Sequence, residues 1–121
     1  MISGKKFFYS LKNGVRGLFV VSKENNFKII LSIAFLVIVL SVILPLKRWE
    51  YLFVIFSIGF VISIEMLNSK LERILDLVNP TYNKDVKDIK DISAGAVLVA
   101  SATTLIIGIL IFTPHLLDLI N

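Results

Sequence analysis

Tyr51-Leu-Phe-Val-Ile-Phe-Ser-Ile-Gly-Phe-Val-Ile-Ser-Ile64 carries no charge, and Glu65-Met-Leu-Asn68-Ser-Lys70-Leu-Glu72-Arg73-Ile-Leu-Asp76 follows it without a break. The first half is an apolar helical run. The second keeps the helical period but turns acidic. At about 100° per residue, Asn68, Glu72 and Asp76 fall at roughly 300°, 340° and 20° from Glu65. Three carboxylates and a carboxamide therefore share one narrow stripe, and Lys70 and Arg73 lie outside it. Like charges so spaced repel unless a cation or a proton intervenes. A carboxylate placed where a helix leaves an apolar phase marks a functional site. The competing reading is a solvated helix end with a chance acidic face.

Working outward, the whole chain is too apolar for an ordinary soluble domain. Hydrophobic residues make up 56% of its 121 residues, and the mean hydropathy is +0.85. That length allows one domain. The absence of cysteine excludes disulfides, thiolate metal sites and thiol nucleophiles. With His115 as the single histidine, a Ser-His-Asp triad or a histidine-rich metal site is implausible. No cleavable signal is expected at the N-terminus, where basic residues interrupt any apolar run. The net charge of +4 lies beside the apolar segments, which suits anionic lipid headgroups rather than nucleic acid.

The pattern predicts an all-α membrane protein: a surface helix over 4–22 and helical spans over 29–46, 51–78 and 92–114. In the first of these, Phe7, Phe8, Leu11, Val15, Leu18 and Phe19 recur at helical spacing opposite Lys5, Lys6, Lys12, Asn13 and Arg16, the signature of an amphipathic helix lying in the interface. Pro45, Lys47, Arg48 and Trp49 mark the far end of the first span, with Trp49 and Tyr51 suited to an interfacial belt. Asn79-Pro80-Thr81 ends the second. Residues 81–91 read as a charged linker, with Tyr9 and Tyr82 as interface or loop residues. Ser93, Ala94, Gly95, Ala96, Ala100, Ser101 and Ala102 in the third span permit close helix approach. Six Lys/Arg precede residue 29, two follow span one, and five lie within 70–90. The positive-inside rule then puts the N-terminus and the second loop in the cytoplasm and the C-terminus outside.

Glu24, Glu65, Asn68, Glu72, Asp76, Lys90 and Asp91 all fall at that cytoplasmic boundary. Carboxylates from two helices offer oxygen ligands to a hard cation, and magnesium commonly adds waters and substrate phosphates to such ligands. A lysine neutralises phosphate oxygens. A carboxylate set deeper, as Glu65 is, has its proton affinity raised by desolvation and is suited to take a proton from a hydroxyl. Metal, lysine and base together are the parts of a phosphoryl-transfer site, with the acceptor hydroxyl arriving from lipid. Each part has a plainer reading: Glu24 pairing with Lys28, Asp91 capping span three, Asn68 bonding between helices. No Gly-x-x-x-x-Gly-Lys-Ser/Thr loop is present.

The pattern Glu65-x-x-Asn68-x-x-x-Glu72, then Asp76, then Lys90-Asp91-Ile-Ser-Ala-Gly95-Ala-Val-Leu-Val99, together with Glu24-Asn25-Asn26-Phe27 and the ending Ile106–Pro114, resembles the small bacterial integral-membrane lipid kinases, the diacylglycerol kinase and undecaprenol kinase family. The likeness runs over about residues 5–115 and is greatest to the Gram-positive branch, in which undecaprenol is the usual substrate. It implies a homotrimer of three-span protomers in the bacterial plasma membrane, with active sites between protomers, and ATP-dependent phosphorylation of a membrane lipid alcohol. It further implies Glu65 as general base, Glu24 and Glu72 as ligands of the Mg2+ that bridges ATP, Lys90 and Asp91 as nucleotide contacts, and Asn68 as the residue that orients the site. Lys70 stands where the family usually has a small residue, and Ile30 and Asn25 stand where the Gram-positive branch often has histidine and arginine. They leave the metal and base positions intact. Diacylglycerol is the alternative substrate, and a non-catalytic oligomer or a cation channel lined by Glu65 is the alternative of another class.

Overall fold

The computed structural model describes residues 3–81 and 83–121, so Tyr82 lies outside the described residues. The chain forms four helices, α1 (Gly4–Val21), α2 (Asn25–Ile43), α3 (Arg48–Val78) and α4 (Lys84–Ile120), with no strand among the described residues. α2, α3 and α4 are each long and apolar enough to cross a membrane. The chain divides into two compact units, Met1–Leu36 and Val37–Asn121.

In the first unit, the Ser3 hydroxyl caps α1 by accepting from the Lys6 amide at 3.3 Å. Phe7, Phe8, Leu11, Val15, Leu18 and Phe19 are all exposed. The polar joint Ser22–Asn26 turns the chain. The Glu24 amide donates to the Val21 carbonyl at 3.0 Å, and the Glu24 carbonyl accepts from the Lys28 amide at 3.0 Å. Val21 and Phe27 are buried on either side of this turn, and Glu24 is half-buried within it.

In the second unit, the end of α2 is set by Pro45. Proline has no N–H, so the Ser41 carbonyl loses the donor that a continuing helix would have supplied. The Tyr51 hydroxyl replaces it, donating to the Ser41 carbonyl at 2.9 Å. Tyr51, expected in an interfacial belt, is thus half-buried between two helices. Lys47 is the N-cap of α3, and the buried Glu50 carboxylate accepts from the Lys47 amide at 2.8 Å. A carboxylate at the third helical position answers both an orphan amide and the positive end of the helix dipole.

α3 and α4 pack as an antiparallel hairpin. Its start corrects the reading of 81–91 as a linker. The Asn83 side chain accepts from the Val86 amide at 2.8 Å and opens α4 at Lys84. Asp91 lies two turns inside the helix, where it pairs with Lys87 at 2.6 Å instead of capping span three. At the other end α4 continues through Pro114 to Ile120. A proline withdraws one helical donor without ending a helix when its surroundings tolerate the freed carbonyl.

Candidate active site

The acidic stripe belongs to the last four turns of α3. Glu65, Asn68 and Glu72 are half-buried and Asp76 is exposed. At about 1.5 Å per residue, a helix starting at Arg48 has crossed a hydrocarbon core of about 30 Å near Asn68. Glu65 stands just inside that limit, and Glu72 and Asp76 stand about one and two turns beyond it.

An ion pair joins α4 to this end of α3. The Lys90 ammonium donates to the Asp76 carboxylate at 2.5 Å. A second pair closes the opposite end, where His115 Nε2 lies 3.0 and 3.2 Å from the two oxygens of Glu50. The two pairs fix the register, since Glu50 to Asp76 spans 26 residues of α3 and Lys90 to His115 spans 25 of α4. Glu65 is therefore level with Ala100 and Ser101, and Asn68 with Val97 and Leu98. Ala100 is buried, consistent with small residues letting the backbones approach. Asn68 Oδ1 is also buried and accepts no hydrogen bond among the described residues, an expensive condition for an amide oxygen.

Of the residues marked in the sequence, the second unit holds six. Glu65, Asn68 and Glu72 share the stripe, Lys90 reaches its end through Asp76, and Asp91 faces Lys87. Glu24 belongs to the first unit. Among the described residues, no three carboxylate, histidine or cysteine side chains gather into a group able to hold a metal ion. The donor chemistry still fits magnesium, which needs only one or two carboxylates when waters and nucleotide phosphates complete its shell. Two contributions escaped the sequence. Asp76 was visible as a member of the stripe but not as the partner of Lys90. Glu50 and His115 are 65 positions apart, and no local pattern links them.

The family model for prokaryotic diacylglycerol kinase matches residues 12–112. The chain belongs to this family. It is 33% identical over 112 residues to the undecaprenol kinase of Bacillus subtilis, covering 92% of this chain and 91% of that one. It is also 33% identical over 97 residues to a diacylglycerol kinase of Synechocystis, covering 79% of this chain and 55% of the relative. The resemblance read from the motifs, including its Gram-positive undecaprenol kinase branch, is thereby borne out. The chain is a lipid kinase and a bacterial membrane protein, so the reading of a non-catalytic channel falls away.

Proposed function

We propose that this lipid kinase transfers the γ-phosphoryl group of ATP to undecaprenol, giving undecaprenyl phosphate and ADP. In this reading Glu65 takes the proton of the lipid hydroxyl, whose oxygen forms the new bond to phosphorus as the bond to ADP breaks. Glu72 and Glu24 supply carboxylate oxygens to Mg2+, Lys90 and Asp91 contact the nucleotide, and Asn68 orients the site. When bound, Mg2+ neutralises the charge on the phosphates. The protein acts as a homotrimer with shared sites, its N-terminus cytoplasmic and its C-terminus outside, with the Phe/Leu face of α1 inserted at the acyl boundary and Lys5, Lys6, Lys12 and Arg16 meeting anionic headgroups.

The observation that carries this reading is the Lys90–Asp76 bridge. It brings the cation of α4 to one end of a stripe whose other end, Glu65, adjoins the apolar run of α3. A nucleotide from water and an alcohol from the bilayer can meet only along such a line. Undecaprenol is favoured over diacylglycerol because the similarity to the Bacillus undecaprenol kinase covers almost the full length of both chains. The test is transfer of radiolabelled γ-phosphate by the purified protein in mixed micelles, with the two lipids offered in parallel, with and without magnesium. Magnesium-dependent labelling of undecaprenol is expected. Labelling of diacylglycerol alone would replace the substrate, and labelling without divalent metal would remove the metal role.

A further inference from the structure

We infer that Asp76 is a positioning residue that holds the Lys90 ammonium in place for the nucleotide, an inference that rests on the nucleotide role proposed for Lys90. The Lys90 side chain crosses from α4 to the stripe end of α3, and Asp76 is what it reaches, at 2.5 Å. Asp76 stands at about 20° on the stripe, almost in line with Glu65. The pair is therefore aligned with the acidic face instead of crossing it.

Stability does not account for the pair. The Asp76 side chain is 67% exposed and that of Lys90 33%, and ion pairs this open add little to folding. What the pair does is geometric. Lysine carries a flexible four-carbon stem and a point charge with no built-in direction. Fixing its ammonium removes rotamer freedom before the ligand arrives. The ammonium has three donors; Asp76 takes one, which leaves two for phosphate oxygens. The neighbouring cation Lys87 is held by Asp91 on its own helix at 2.6 Å, so the two lysines of this turn have separate carboxylate partners. Asp76 is thus matched to Lys90 in reach and in charge.

The test is a double-mutant cycle on ATP kinetics in mixed micelles, with Asp76→Ala, Lys90→Ala and the double variant. Asp76→Ala is expected to raise the KM for ATP about three- to fivefold, the most that an ion pair this exposed can supply, with a smaller change in kcat and an unchanged melting temperature. In the Lys90→Ala background the same substitution should change KM less than about twofold. Asp76→Glu should restore most of the lost affinity. An equal effect of Asp76→Ala in both backgrounds, or no rise in KM while Lys90→Ala still raises it, overturns this inference alone. If Lys90→Ala itself leaves the KM for ATP unchanged, the nucleotide role of Lys90 fails and this inference fails with it.

Discussion

Replacing Tyr51 by phenylalanine keeps the ring and removes one hydroxyl, yet the structure assigns that hydroxyl a specific duty. Pro45 cannot donate to the Ser41 carbonyl, and the Tyr51 hydroxyl does so at 2.9 Å. Ser41 is buried, at 4% exposure. Its side chain is committed elsewhere, donating to the Val37 carbonyl at 2.8 Å. A buried acceptor left without its donor costs about 1–3 kcal/mol. Because Tyr51 is only half-buried, the lower part of that range is expected, about 1–2 kcal/mol. The assay is equilibrium unfolding in mixed micelles followed by far-ultraviolet circular dichroism. The control is Pro45→Ala, which returns an N–H to position 45. In that background Tyr51→Phe should cost less than about 0.5 kcal/mol, since the restored amide can serve the Ser41 carbonyl. An equal cost with proline and with alanine at position 45 would refute the account, and so would no cost in the parent.

Glu65→Gln is expected to lower phosphoryl transfer by about 10²-fold or more, the scale of losing a general base, with helix content and assembly state retained; full activity would remove Glu65 from that role. Glu72→Ala should move the magnesium titration of activity to higher concentration, and an unmoved titration would count against its place at the metal. His115→Leu should lower the melting temperature, because it leaves the buried Glu50 carboxylate without its imidazole partner; a melting curve identical to the parent's would show that the Lys47 amide suffices.

The three long helices were legible because charge-free runs of spanning length leave the chain no other economical fold. The stripe was legible because α3 is one unbroken helix, so angular arithmetic from Glu65 to Asp76 held. The beginning of α4 was not. Lys84-Asp-Val-Lys-Asp-Ile-Lys-Asp91 alternates charge as a linker does, and its helical signals were the Asn83 cap and the i,i+4 spacing of Lys87 and Asp91. Composition alone hid them. The pairs Lys90–Asp76 and Glu50–His115 depend on how two helices are registered, and each helix could satisfy its own pattern in several registers. Asp91 illustrates the limit: as a cap, a ligand or a lysine's partner, it satisfies one local rule under each reading.

The two end pairs make the hairpin a caliper of fixed opening. Sliding α4 by a single residue would rotate it by about 100° and carry it about 1.5 Å, unseating both jaws together. Neither end can drift without reporting to the other. A change at the Glu50 end therefore has a mechanical route to the depth at which Lys90 stands, some 40 Å away along the hairpin, although no side chain at that end touches the chemistry. Inserting one alanine between Lys90 and His115 would force the molecule to choose which jaw to keep.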